Sequence, residues 1–326
     1  MSDIFEIVGV VDDRATQAVR FAGGNLKPYE GLTWMTEDEL FAIPGLEAVT
    51  VETPNDDLVP TALRCMNRNL AMHVDKPAGS DLKLYRELLM GCQSRKLPFQ
   101  MGYMFRSNPA FQFCLKAVRE KWLGEVFEVQ ADMSHNYGGD DYQNYLEKIP
   151  GGIMFNLGCH LIDFVVSLLG RPERVTSFLK STPGLPNSIL NNGLAIIEYP
   201  HATATVRACS REVDGLSHRR LKVCGTKGTI DLCPLERFDG QPLLLEMTLL
   251  DGNSEYTAGT HVVNTGIKRD RYKDQLFELA QMLRGELENP YSYEHDYLVH
   301  EVSLAASGAT AAFFMRSGQS PTLHFP

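Results

Sequence analysis

Short β-branched runs alternate with helical periodicity through the first third of the chain, and this alternation constrains the fold most. Phe5 to Val11 (FEIVGVV) reads as a buried strand ending in Asp12-Asp13, and Ala48 to Thr53 (AVTVET) as another, closed by Pro54-Asn55. Leu58 to Asn69 predicts a helix, Leu70 to Val74 a short strand stopped by Asp75-Lys76-Pro77, Asp81 to Arg95 a helix and Pro98 to Tyr103 a strand. Strand and helix in strict alternation imply parallel strands joined by right-handed crossovers.

After Trp122-Leu123-Gly124 the pattern changes. Glu125 to His135, Arg174 to Lys180, Gly193 to Tyr199, Ala202 to Arg211, Arg219 to Gly225 and Thr229 to Leu232 alternate as half-buried strands do, mostly with turn-length links. That pattern predicts an antiparallel sheet. A buried helix near 154–169 interrupts it, and helices near 270–285 and 294–317 close the sequence. The expected fold class is α/β, with a parallel-sheet domain over 1–106 and a second α/β domain with a large open, mainly antiparallel sheet over 107–326.

Of 326 residues, 31 are Lys or Arg and 41 are Asp or Glu, a formal charge of −10. So acidic a balance argues against phosphate backbone or anionic lipid as the main partner, so neither nucleic acid nor membrane is expected. The seven cysteines form no C-x-x-C pair, which excludes zinc ribbons and thioredoxin-type motifs and suits reduced thiols in a cytoplasmic protein. The start lacks a basic, apolar leader, and the apolar stretch Ile153 to Leu169 carries Asn156, His160 and Asp163, which a membrane span tolerates poorly.

Three features carry chemistry. An acid ending a strand of a doubly wound sheet can accept hydrogen bonds from the ribose hydroxyls of NAD and would repel the 2′-phosphate of NADP. Asp12 stands at such a place; alternatively, Asp12-Asp13 caps the next helix. The G-x-G-x-x-G fingerprint should precede this acid by about 20 residues. Only Gly9 lies ahead of it, and Gly23-Gly24 follows without the pattern. The expectation is a Rossmann unit whose first β-α element and phosphate loop are missing.

Thr53-Pro54-Asn55 and Asp75-Lys76-Pro77 both stand at carboxyl ends of expected parallel strands, where ligands bind in open α/β sheets. A lysine fixed there can hydrogen-bond a substrate hydroxyl and ease its deprotonation, although an isolated Lys-Pro is often just a solvated turn. The third feature is the apolar segment from Phe155 to Leu169, whose polar exceptions are Asn156, His160, Asp163 and Ser167. Their spacing is one face of a helix, so the stripe must meet a polar cavity or a dedicated partner. His160 is suited to acid–base work near neutral pH, or is a satisfied core histidine. No spacing of His135, His201 or His218 nominates them as metal ligands beside His160 and Asp163, so no metal is expected.

Taken in order, these residues resemble the Gfo/Idh/MocA family, the glucose–fructose oxidoreductase and inositol dehydrogenase group. The matching motifs are Gly9-Val10-Val11-Asp12, Glu52-Thr53-Pro54-Asn55, Asp75-Lys76-Pro77 and the run from Gly151-Gly152 through Asn156 and His160 to Asp163. Gly102 to Pro109 resembles the link into the second domain. The resemblance implies a Rossmann domain followed by a domain whose open sheet supports homodimers or homotetramers. It implies hydride transfer between a sugar, glycoside or cyclitol carbon and nicotinamide.

Carried over by position, Lys76 orients and polarises the reacting hydroxyl and His160 is the acid/base. Asp12, Asp13, Thr53, Pro54, Asn55, Asp75 and Lys76 would line the NAD site. Arg106, Asn156 and Asp163 would lie near substrate or hold His160. Asp75 replaces the family's usual Glu, Leu58 stands where a histidine often follows the T-P-N turn, and Asn156 stands where many members have Asp. That neutral amide predicts a less basic His160. Two other activities fit the resemblance: an NAD-dependent glycoside hydrolase or lyase using transient oxidation, and a degenerate binding or regulatory subunit. Tyr137, Tyr142 and Tyr256 are candidate substrate contacts by residue type alone.

Overall fold

The computed structural model describes residues 3–12, 31–268 and 270–309; Asp13, Gly23-Gly24 and the stretch 310–317 of the last expected helix lie outside them. The first layer is a parallel sheet of β3 (Ala48–Val51), β4 (Ala71–Val74) and β5 (Phe99–Met101), in that spatial order. All four residues of β4 are buried, as a central parallel strand covered on both faces requires. The crossovers are α2 (Asn55–Asn67) and α3 (Leu82–Arg95), after the short α1 (Glu37–Phe41). Asp81 caps α3 by accepting from the amides of Lys83 (2.9 Å) and Leu84 (3.0 Å). Tyr85, Leu88, Leu89 and Cys92 then face the core at helical spacing.

The expected buried strand at Phe5 to Val11 is corrected. Only β1 (Val10–Val11) forms, paired in parallel with β2 (Trp34–Met35) and not joined to the three-stranded sheet. Ile7 is 66% exposed and Val11 41%, so this apolar run has little core to enter.

The second layer is an eight-stranded sheet. Its strands are β6 (Val126–Asp132), β7 (Arg174–Lys180), β8 (Asn192–Glu198), β9 (Thr203–Cys209), β10 (Arg220–Gly225), β11 (Gly228–Leu232), β12 (Leu244–Leu249) and β13 (Gly259–Asn264). The spatial order is β13-β12-β11-β10-β6-β9-β8-β7. Every neighbouring pair is antiparallel except β6 with β9, which is parallel, so the sheet is mainly antiparallel as expected. Sequence reading also passed over β12 and β13 and the helix α5 (Gly139–Glu147). One face of the sheet is packed and the other carries exposed Phe127, Phe178 and Val262.

Helix α4 (Pro109–Arg119) leads from the first layer into the second, and α6 (Cys159–Leu169) packs on β6 and β9 behind a π-helical turn at Met154–Gly158. After a single turn, α7 (Gly215–His218), and the last strands, α8 (Lys273–Leu283) returns to lie against β4. Helix α9 (Tyr293–Ala306) packs on α6 and α3. Both layers share one continuous apolar core. All seven cysteines are free, six of them buried. Among the described residues no helix is long and apolar enough to cross a membrane.

Candidate active site

The turns after β3 and β4 lie side by side because Val51 pairs with Val74. Gly79 holds them together: its φ is +72°, and a Cβ there would sit 2.9 Å from the main-chain oxygen of Asn55. Lys76 leaves the second turn, and its Nζ donates to the main-chain oxygen of Asn156 at 2.9 Å. Asn156 lies in the π turn, where the wider winding disrupts the ordinary ladder of main-chain bonds and exposes carbonyls to outside donors. Gly151 and Gly152 make the entry to that turn possible. A Cβ on Gly152 (φ +54°) would fall 2.0 Å from the Leu190 oxygen, and one on Gly151 2.3 Å from the Ser307 Cβ.

One turn further on is His160, 2% exposed, with Tyr103 and Phe105 edge-on to its ring. Its Nδ1 is buried and has no hydrogen-bond partner among the described residues. Burial, followed by the charges of Lys76, Arg271 and Arg219, holds its pKa well below the ordinary histidine value, so the ring is neutral at pH 7. The cause of this lowering is not the Asn156 amide from which a weaker base was expected. The Asn156 amide donates to the Tyr142 hydroxyl at 2.7 Å, and the cations with burial make His160 a weaker base.

The polar stripe divides between two tasks. Asn156 and His160 face Lys76 and Tyr142, whereas Asp163 and Ser167 meet dedicated partners. Asp163 accepts from Arg106 Nη2 at 2.6 Å and from Nε at 3.1 Å, and His295 Nε2 lies 3.4 Å away. Arg106 also donates to Asp296 at 2.5 Å and lies over the ring of Tyr291, 3.8 Å from its centroid. Arg106, Asp163 and Asp296 are all buried. The Arg106 guanidinium lowers the Asp163 pKa, with His295 assisting, while burial raises that of Asp296. This cluster clamps α6 and α9 to the turn after β5.

Of the expected cofactor residues, Thr53, Asn55, Asp75 and Lys76 share the carboxyl edge of the parallel sheet, with Pro54 capping α2. Thr53 Oγ1 and Asn55 Nδ2 are buried there without partners among the described residues. Asp75 flanks Gly102, whose Cβ would lie 3.3 Å from its Oδ1. Asp12 ends β1, outside the three-stranded sheet. Among the described residues no group of three or more His, Cys, Asp or Glu side chains is placed to hold a metal ion.

Sequence reasoning weighed His135 only as a metal ligand and passed over Arg219, Arg271, Glu236 and Tyr272. His135 is fully buried and stacks on Tyr137 at 3.7 Å, with Tyr142 edge-on. Burial and the nearby Arg219 push the His135 pKa down to about 4. Arg219 and Arg271 both hold Glu236 (2.9 and 2.7 Å), and Tyr272 sets its ring edge-on to His73. Tyr137 and Tyr142 thus stand at the site, but Tyr256 does not: it packs with Phe113 and Trp122. A stretch such as Ser134-His135-Asn136-Tyr137 at the end of a strand was the available signal.

Residues 111–231 match the family model described as the GFO/IDH/MocA C-terminal domain. The chain is 29% identical over 148 residues to the uncharacterized oxidoreductase YhhX of Escherichia coli, covering 44% of this chain and 41% of that protein. It is 23% identical to trans-1,2-dihydrobenzene-1,2-diol dehydrogenase of Sus scrofa, covering 61% and 60%. The matches therefore span roughly half the length of these curated relatives. Among solved structures, a levoglucosan dehydrogenase in complex with NADH and levoglucosan superposes with a TM-score of 0.74 at 13% identity, covering 94% of this chain and 89% of that one. An Agrobacterium radiobacter oxidoreductase in complex with NAD+, L-tartaric acid and magnesium gives 0.75 at 16%, covering 94% and 90%. The likeness of fold extends over both sheets, and the stretch from α4 to β11 is where the chain matches the GFO/IDH/MocA C-terminal domain.

Proposed function

We propose that this chain transfers a hydride between a sugar, glycoside or cyclitol CH–OH carbon and a nicotinamide dinucleotide, NAD in preference to NADP. The observation that carries the reading is the meeting of Lys76 and His160. They arrive from different layers: Lys76 is anchored on the main-chain oxygen of Asn156, four residues before His160, and its charge acts on the His160 ring, while Thr53 and Asn55 leave unpartnered polar atoms on the same sheet edge as Lys76. Solved structures of the same fold hold NAD+ or NADH, which supports a nicotinamide cofactor.

The residues fit one end of that cofactor. Thr53, Asn55, Asp75 and Lys76 offer donors and acceptors for a nicotinamide ribose, and buried Thr53 Oγ1 and Asn55 Nδ2 await a partner. Asp12 would take the adenine-side ribose and disfavour a 2′-phosphate. Among the described residues no glycine-rich turn offers a pyrophosphate cradle, and the cleft of about 90 Å³ between α2 and α3 is lined by Asp56 and Asp81, which repel phosphate. When bound, the nicotinamide takes or returns the hydride.

The chain's own residues handle the proton. The Lys76 ammonium, fixed by the Asn156 oxygen, can donate to the substrate oxygen and stabilise the alkoxide that forms. His160, neutral at pH 7, accepts the hydroxyl proton and returns it in the reverse direction. Tyr103 and Phe105 keep water from the ring, and the Arg106–Asp163 pair fixes the helix that carries it.

The test is NAD reduction by the purified chain across a panel of sugars, glycosides and cyclitols. Lys76→Ala and His160→Ala are each expected to lower turnover by about 10²- to 10⁴-fold with unchanged far-ultraviolet dichroism. Near-normal rates in both variants would overturn the assignment.

A further inference from the structure

Beside His160, two arginines converge on one carboxylate. Arg271 donates to Glu236 through Nε (2.7 Å) and Nη2 (2.9 Å), and Arg219 through Nη1 (2.9 Å). Two guanidinium groups against one carboxylate leave this cluster one positive charge in excess. The Arg219 side chain is only 2% exposed and its Nε donates to the Ser134 oxygen at 3.0 Å. Its Nη2 and the Nη1 of Arg271 have no hydrogen-bond partner among the described residues.

A third donor stands with them. His135 Nδ1 accepts from the Tyr137 amide at 3.2 Å, which leaves the proton on Nε2, buried and without a partner among the described residues. Within this group of Arg219, Arg271 and His135, the unpaired nitrogens are thus all donors, two of them on cations. A neutral polyol, whose hydroxyls both donate and accept, does not require such a set; an acceptor-only group does. Planar guanidinium edges match a carboxylate in shape, and a single surplus charge balances a monoanion rather than a phosphate dianion. The strongest charges acting on His160 are also cationic, so the surplus reaches the reacting centre.

Resting on the hydride-transfer reading above, we propose that the substrate is a carboxylate-bearing polyol, a sugar acid, whose carboxylate is held by Arg271 and Arg219 while its reacting hydroxyl meets Lys76 and His160. Arg271, 40% exposed on its side chain, is the specificity-determining residue at the open edge, and Arg219 is the buried one behind it.

The experiment is calorimetric titration of the full chain, with and without NADH, using D-glucuronate, D-galacturonate and D-gluconate, each against its own neutral primary amide. At least one acid is expected to bind at least about tenfold more tightly than its amide. Arg271→Gln should shrink that preference to about threefold or less, and Arg271→Lys should retain part of it. Equal affinity for every acid and amide, binding of neither, or a preference that survives Arg271→Gln would overturn the proposal. Turnover of neutral polyols without any preference for the acids would remove the anionic class and leave hydride transfer standing. A preference for acids lost in Arg271→Gln, with no turnover of any substrate, would support the carboxylate site and remove hydride transfer.

Discussion

The Nζ of Lys76 and the main-chain oxygen of Asn156 lie 2.9 Å apart although 80 residues separate them in sequence. The bond joins the edge of the parallel sheet to the π turn ahead of α6, and it uses no side-chain atom of Asn156. Substituting Asn156 therefore leaves the lysine anchored and removes only the bond to Tyr142. Asn156→Ala should retain activity within about tenfold of the parent, whereas Lys76→Ala loses orders of magnitude. Steady-state rates of the two variants, measured side by side, check the contrast.

The neutral state of His160 sets the acid limb of the rate profile. A base whose pKa is depressed keeps its lone pair to lower pH, so kcat/KM should begin to fall well below pH 6.5. Arg271→Gln removes one of the cations responsible and should move that limb upward. A pH profile of both proteins gives the answer, and an acid limb at or above pH 6.5 in the parent contradicts the assignment of His160 as base.

Stability should respond to pH over a neighbouring window. Burial holds His135 and His300 near pKa 4 in the fold, against 6.5 in the unfolded chain. Between these values the unfolded chain binds more protons, so stability is complete above pH 6.5 and is lost as pH falls through about 4. Each histidine contributes on the order of 3 kcal/mol of that loss by pH 4. Thermal midpoints measured from pH 8 to pH 4 should be flat at first and then fall steeply.

Arg106 stands between Asp163 and Asp296 in a site closed to water. Removing the cation leaves two buried carboxylates with only the longer contact from His295 to Asp163, whereas removing either acid leaves Arg106 one partner. Arg106→Ala should cost about 3–5 kcal/mol and more than Asp163→Ala or Asp296→Ala. Urea denaturation of the three variants ranks them.

Gly152 can carry no side chain where it is. Gly152→Ala adds a Cβ 2.0 Å from the Leu190 oxygen at a positive φ, so the π turn must shift. Stability should fall by at least about 1–3 kcal/mol and turnover should fall with it, as Asn156 moves away from Lys76. Gly285→Ala, at another positive φ but with open space around it, is the control for backbone strain alone.

Much of this was legible in the sequence. β4 and α3 stand out because burial on both faces gives an unbroken apolar run and burial on one side gives a helical stripe. Lys76 and His160 stand out because a turn after a strand and a polar interruption of an apolar helix each have a spacing. β12 carried a signal that was overlooked: Leu245, Met247 and Leu249 face in while Leu244, Glu246 and Thr248 face out. Other features leave no such mark. No pattern distinguishes Arg219 as a buried arginine from the adjacent, exposed Arg220, and the main-chain oxygen of Asn156 is common to every residue. The run FEIVGVV misled because apolar character makes a strand only where a neighbour supplies hydrogen bonds, and β2 supplies them to two residues.

The return of α8 and α9 to the first sheet has a consequence for how the molecule is made. Gln275 donates to the Tyr103 oxygen, Asn289 to that of Phe99 and Tyr293 to that of Leu97, while Leu279 and Met282 cover Ala71. The first of these partners is 172 residues downstream of the strand region it covers. At ordinary translation rates that separation is roughly ten to thirty seconds on the ribosome. Through that interval the parallel sheet stands without the cover of α8 and α9, so a fragment ending at residue 106 should be insoluble when expressed alone.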